Sequence, residues 1–256
     1  MKPKVKTIWF SDAVSPWRAL WLTDYQRSSV IRQVPGYVQE MFFTKLIDLT
    51  QPEEAILSGF SADTRRLIRR AEKEGIVYRD TDDIDEFVRF FNKFSGQKRL
   101  SYWLNADALR KRVPEYRITN AEMNGDVLFA HLYLCDRKKS RATILYGASI
   151  LKDDKRGISG AVLSSANRGL HHYDMCRFKQ DGFRIYDMGG YAPDTTDDEL
   201  KKINDFKDQF GGRLVQEANH RSVLLDRISA AINAAVRLKQ RRGSRRAGHV
   251  PASRAG

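Results

Sequence analysis

The sequence predicts a mixed α/β (α+β) fold, in which a largely antiparallel central sheet is flanked by helices, with a partial N-terminal subdomain before it and a basic disordered tail after it. Three observations carry this expectation. Residues 116–151 form three apolar runs joined by turn chemistry, Asn124-Gly125-Asp126 after the first and Asp136-Arg137-Lys138-Lys139 after the second, so they read as an antiparallel meander. Beyond the meander, helical and strand-like patterns alternate as far as residue 240. From Gly243 onward the chain is rich in Arg, Gly, Ala and Ser, a composition that predicts disorder. The expected domains are therefore residues 1–80 as the N-terminal subdomain with an Arg-rich helix, 81–236 as the main domain and 237–256 as the tail.

The elements follow in order. Residues 4–10 and 40–49 are β-branched and aromatic and predict two strands, with a helix or loop over 17–29 and a Pro35-Gly36 break between them. Gln51-Pro52-Glu53-Glu54 opens a short helix. Ser61 begins a capping pattern ahead of strong helix formers that stop at Gly75, which predicts a helix over 61–75. A short strand at 76–79, an amphipathic helix at 84–95 and a short helix at 106–112 lead to the meander. A loop at 152–157 precedes a long helix over 159–180. The aromatic run 183–188 then predicts a buried strand ending in Gly189-Gly190, followed by a helix over 197–210 ending in Gly211-Gly212. A last strand at 213–217 and a helix at 223–240 complete the expected order.

Composition narrows the function classes. A chain of 256 residues with 41% hydrophobic content buries a proper core, and it contains no run of eighteen apolar residues. The N-terminus lacks the apolar stretch of a signal peptide, which predicts a cytoplasmic location, peripheral at the inner face of the membrane if the tail tethers it. Cys135 and Cys176 show neither a disulfide framework nor zinc spacing, and no metal is expected. Of the net charge of +13, seven units lie between Arg237 and Arg254 with no acid among them. The tail is thus an expected contact for RNA or an anionic membrane surface, or simply a solubilising segment.

Four groups of residues are candidates for chemistry. Glycine pairs 189/190 and 211/212 either bring backbone close to a ligand or serve as a turn and a helix cap, with Lys207 and Asp187 the nearest charges. Arg65 and Arg69 share one line of a basic helix stripe and are candidates for phosphate contacts, the alternative being a solvated face paired with Glu72 and Glu74. Asn167 and His171 share a helix face at i, i+4, which makes His171 either a general base or a structural histidine. Arg156, Gly157 and Gly160 lie where a helix N-terminus favours an anion such as the pyrophosphate of a coenzyme.

Taken in order, four motifs resemble a known family: Thr64 to Gly75, Ala166-Asn167-Arg168-Gly169-Leu170-His171, Tyr186-Asp187-Met188-Gly189-Gly190, and Phe206-Lys207-Asp208-Gln209-Phe210-Gly211-Gly212. The chain is similar over residues 40–217 to the Fem-type (FemAB-like) branch of the Gcn5-related N-acetyltransferase (GNAT)-like superfamily. That resemblance implies a GNAT-like sheet and transfer of an acyl group to an amine without a covalent enzyme intermediate. It implies Lys207, which matches the family's phenylalanine-lysine motif, near the reacting centre with His171 and Asp187. Tyr146, Tyr186, Gly189, Gly190 and Asn167 would then contact substrate. Fem-type peptidoglycan enzymes carry two such domains, and this chain has room for one. The expected donor is therefore acyl-CoA, and the expected acceptor a nucleotide- or lipid-linked amino sugar of the cell envelope. The alternatives are an aminoacyl-tRNA-dependent peptidoglycan-bridge enzyme and a non-catalytic binder of nucleic acid or membrane surface.

Overall fold

A computed structural model describes residues 5–150 and 158–232. Residues 151–157, with Arg156 and Gly157, and the tail at 237–256 lie outside the described residues. The chain forms two compact units, residues 1–42 with 216–256 and residues 43–215. The Arg-rich helix expected in an N-terminal subdomain belongs to the larger unit. The smaller unit draws on both ends of the chain, an arrangement that a reading by consecutive segments does not anticipate.

In the smaller unit, β1 (Lys6–Trp9) runs parallel to β2 (Thr23–Ser28), and β2 pairs antiparallel with β9 (Arg213–Ser222), most of which belongs to this unit. The helix or loop expected over 17–29 is a short 3-10 helix, Pro16–Leu20, followed by β2. Thr23-Asp24-Tyr25-Gln26 alternates buried and half-buried side chains, the mark of a strand with one face in a core. Tyr25 and Tyr37 meet edge to face at 5.7 Å, packed with Val14 and Val34. Residues 223–232 are helical.

The larger unit holds the catalytic candidates. Its strands are β3 (Tyr37–Asp48, from Phe43), β4 (Val77–Thr81), β5 (Tyr116–Met123), β6 (Asp126–Asp136), β7 (Arg141–Ser149) and β8 (Ile185–Tyr191), in the spatial order β3-β8-β7-β6-β5-β4. All neighbouring pairs are antiparallel except β7 and β8. The helices are α1 (Glu53–Ser58), α2 (Ala62–Lys73), α3 (Ile84–Gln97), α4 (Ala106–Arg112), α5 (Gly160–Gln180) and α6 (Asp198–Asp208). This is the expected mixed fold, a largely antiparallel sheet flanked by helices.

Local chemistry accounts for the boundaries. Ser61 caps α2 by accepting from the Thr64 amide, and Gly75 takes a φ of +72° just beyond its end. Asn124 and Gly125, at φ +53° and +84°, make the tight β5–β6 hairpin turn. On its buried face α2 presents Leu67, Ile68 and Ala71, and it packs against α5. Gly169 makes that approach possible, because a Cβ there would sit 1.8 Å from the Tyr78 hydroxyl and 3.3 Å from Ala71 Cβ. The core around α5 joins Tyr133, Met175, Phe178, Phe183, Tyr186 and Phe210. No helix among the described residues is long and apolar enough to cross a membrane.

Candidate functional site

The parallel pair β7 and β8 is hydrogen-bonded only at its start, from Arg141 opposite Ile185 to Thr143 opposite Asp187, although the strands run on to Ser149 and Tyr191. Where pairing stops, a cavity of about 430 Å³ opens in the larger unit between Tyr146 and Gly147 of β7 and Gly189 and Gly190 of β8. The cause is local. Register with β3 slips between Thr44 and Leu46, and Gly189 takes a φ of +74° with the Ile144 carbonyl 3.1 Å from where a Cβ would stand.

The glycine pair therefore lies inside β8 and not at its end, as the sequence had led us to expect. Gly211 and Gly212 also take positive φ, but they press on backbone: a Cβ on either would stand within 2.7 Å of the carbonyl oxygen of Gly59 or Leu46. Neither lines this cavity.

Beneath the opening lies a buried polar network. Along β6, His131 and Tyr133 alternate with Leu132 and Leu134, so both project from one face of the strand. Asn167, His171 and Asp174 on α5 fall at i, i+4 and i+7, on one face of the helix. The Asp174 carboxylate receives His131 Nδ1 at 2.9 Å and the Tyr133 hydroxyl at 2.5 Å on the same oxygen. Its other oxygen is buried without a hydrogen-bond partner among the described residues. With the Nδ1 proton directed at the carboxylate, the lone pair of His131 is on Nε2, which requires the Asn167 amide, whose Oδ1 stands 3.3 Å away, to be turned so that its nitrogen faces the ring; His131 lines the cavity.

The Tyr186 hydroxyl joins Tyr133 at 2.8 Å to His171 Nδ1 at 2.6 Å, and the two imidazole rings stand 4.5 Å apart. Burial, and after it the charges of His131, Lys207 and Arg168, hold the His171 pKa well below the ordinary 6.5, so this imidazole is neutral at neutral pH. Burial and the Asp174 charge push the Tyr133 and Tyr186 phenols well above 10. Ligand atoms of His131, His171 and Asp174 lie within 4.8 Å of one another, a spacing that a metal ion tolerates. The direct His131–Asp174 hydrogen bond engages two of those three residues with each other.

Six expected residues thus surround one cavity: Lys207, His171, Asn167, Tyr146, Gly189 and Gly190. Lys207, on α6, donates from Nζ to the Gly190 carbonyl at the lip. Five others lie elsewhere. Asp187 does not face the opening. It is fully buried, clasped by Arg141 Nε and Nη2 at 3.0 and 2.6 Å, Thr143 Oγ1 at 2.9 Å, the Gly189 amide at 2.8 Å and Thr44 Oγ1. Tyr186 lies below the cavity as the bridge in the network.

Arg65 turns back onto the Ser58 and Phe60 carbonyls, and neither it nor the exposed Arg69 lines the cavity. Arg66 and Arg70 pair with Asp63 and Glu74, which neutralises much of the stripe. Gly160 is the first residue of α5, behind the capping Ser159, and is not at the opening.

Sequence reasoning missed His131, Tyr133 and Asp174. Their signal was present as two polar residues two apart in an otherwise apolar strand, and an acid in register with Asn167 and His171 on the inner face of a helix.

No protein-family model and no curated protein matches the sequence. Solved structures do share the fold. FemX aligns with a TM-score of 0.59 at 14% identity, covering 77% of this chain and 65% of its own, so this chain spans a little less than two thirds of FemX. The C-terminal domain of a protein assigned as a lysylphosphatidylglycerol synthetase from Agrobacterium fabrum aligns at 0.55 and 14% identity, covering 84% and 72%. The L-PGS structure from Bacillus licheniformis aligns at 0.53 and 12% identity, covering 80% and 68%. At these identities the likeness is one of fold.

Proposed function

We propose, from the fold shared with FemX and the lysylphosphatidylglycerol synthetases, that this protein transfers an acyl or aminoacyl group to the amine of a lipid- or glycan-linked cell-envelope precursor. The observation that carries the chemistry is His131, with Nδ1 held by buried Asp174 and Nε2 toward the cavity. In the reaction, Nε2 takes a proton from the acceptor amine as its nitrogen attacks the donor carbonyl carbon. The C–N bond forms, the C–S or C–O bond to the donor carrier breaks, and the proton passes to the departing sulfur or oxygen. Asp174 orients the imidazole and stabilises its cationic form, and Tyr133 holds that carboxylate in place. Lys207 supplies positive charge at the lip, for the developing oxyanion or for an acceptor phosphate.

The proposed donor is acyl-CoA. A second reading, an aminoacyl-tRNA donor, is favoured by the name lysylphosphatidylglycerol, which puts an aminoacyl group on a lipid. The test offers acetyl-CoA, a long-chain acyl-CoA and lysyl-tRNA, each with a nucleotide-linked amino sugar and with phosphatidylethanolamine vesicles, two acceptors that both carry an amine, and reads products by mass spectrometry. One donor should yield product, and His131→Ala should slow it at least about a hundredfold. Absence of product from every pairing with folded protein would overturn the assignment. Unchanged rates in His131→Ala or Lys207→Ala would remove that residue from the mechanism.

A further inference from the structure

The larger unit contains a second and bigger cavity, of about 720 Å³, which shares no lining residue with the first. It lies at the other end of β7 and β8, beside Ser140 and Ile185, whereas the transfer cavity lies beside Gly147 and Gly189. Seven residues of strand separate Ser140 from Gly147, roughly 23 Å at the usual rise. One small ligand does not fill both.

We propose that this second cavity binds a phosphate-bearing ligand of nucleotide size. Four cations line it, Lys138 and Lys139 from the β6–β7 turn, Arg184 ahead of β8 and Arg213 at the start of β9. Asp48 is the only carboxylate among the lining residues, and it is already engaged by the Thr50 amide at 2.8 Å and hydroxyl at 2.6 Å. Those bonds, and to a smaller extent Arg184, hold its pKa below the ordinary range, so it stays anionic and the lining keeps an excess of three positive charges. Ammonium and guanidinium groups on three separate segments of one lining suit the several oxygens of a di- or triphosphate. Leu46, Ile47 and Ile185 add an apolar surface on which a ring system can lie.

The walls are built in advance. The Ser140 carbonyl accepts from the Arg184 and Ile185 amides at 2.8 and 3.0 Å, which ties the lysine turn to the arginine segment. Lys179 ties the Thr50 loop to α5 through the Leu49 and Gln51 carbonyls at 2.9 and 2.7 Å. Gly212 lies so close to β3 that a Cβ would stand 2.5 Å from the Leu46 carbonyl, which sets Arg213 at the rim.

The experiment is calorimetric titration of the full chain with ADP, inorganic pyrophosphate and adenosine. ADP and pyrophosphate should bind saturably, more weakly as salt rises, and adenosine should not bind. The double variant Arg184→Ala/Arg213→Ala should weaken ADP binding at least tenfold, and Lys138→Glu/Lys139→Glu, on an exposed turn that tolerates change, should do the same. His131→Ala should bind ADP as the parent protein does, which separates this site from the transfer cavity whether or not the proposed transfer chemistry is correct. Absence of saturable binding, or full affinity retained in both double variants, would overturn the proposal.

Discussion

Among the described residues of the larger unit two carboxylates lie completely buried, Asp187 on β8 and Asp174 on α5, and their surroundings differ in kind. Asp187 faces a guanidinium through two hydrogen bonds and takes three further donors, Thr44, Thr143 and the Gly189 amide, so its charge and its lone pairs are matched. Asp174 faces an imidazole and a phenol, both on one oxygen, and the other oxygen has no partner among the described residues. A buried charge costs several kcal/mol unless it is paired and hydrogen-bonded. Full compensation at Asp187 is what a structural anchor requires, and this one stitches β3, β7 and β8 together just before β7 and β8 part. Partial compensation at Asp174 leaves a carboxylate that gains by the arrival of positive charge on His131. That is the condition for a base to accept a proton.

The comparison breaks most readily at the anchor. Arg141→Ala removes the guanidinium that faces the buried Asp187 and should cost about 3–5 kcal/mol, read as a lower midpoint in urea. Replacing both partners, Arg141→Met with Asp187→Leu, should recover most of that loss. If the single substitution were mild, Asp187 would not be the fixed point described here.

The next effect belongs to Asp174. Asp174→Asn keeps the shape but removes the charge that supports a protonated His131, and should lower the transfer rate about a hundredfold, close to 2.7 kcal/mol in the barrier. The urea midpoint should move far less than in Arg141→Ala. A large loss of stability with an unchanged rate would make Asp174 a second anchor.

Acid offers a third comparison. The His171 pKa is depressed in the folded protein, so the unfolded chain binds a proton below pH 6.5 that the native state refuses. Stability contributed by the neutral imidazole is present above pH 6.5 and is lost as pH falls from there toward the depressed value, with a slope of up to about 1.4 kcal/mol per pH unit. His171→Asn should flatten that slope in urea titrations between pH 5 and 7. An unaltered slope would assign the acid sensitivity to other groups.

The smallest effect is expected for Tyr133→Phe, which removes one donor from Asp174 and the link to Tyr186. About 0.5–1.5 kcal/mol of stability should go with it, together with a shifted pH profile for transfer. A shift without loss of stability would place the phenol in the proton path and not only in the packing.

Much of the fold was legible because it is written in local chemistry. The Asn124-Gly125 turn, the Ser61 cap and the apolar alternation of β6 each depend on a few adjacent residues. Strand β2 was not legible, because Thr23-Asp24-Tyr25-Gln26 becomes a strand through partners about 17 residues before it and about 195 after it. The same limit applies to the site. Asn167 and His171 were found because a single helix aligns them, and Lys207 because it matched a family motif. His131 and Asp174, 43 residues apart on different elements, show nothing of each other in sequence. Asp187, next to a glycine pair, reads as a site residue until Arg141 is seen beside it.

The sequence by itself determined the order of helices and strands, the hairpin, the caps and the glycine at 189, where a Cβ would crowd Ile144. These follow from contacts within a turn or a residue's own backbone preference. Tertiary structure alone decided where β7 and β8 separate, which buried acid is neutralised and which is left in need of a charge. Pairing across a sheet and desolvation in a core depend on residues far apart in the chain, and only folding brings them within reach of one another.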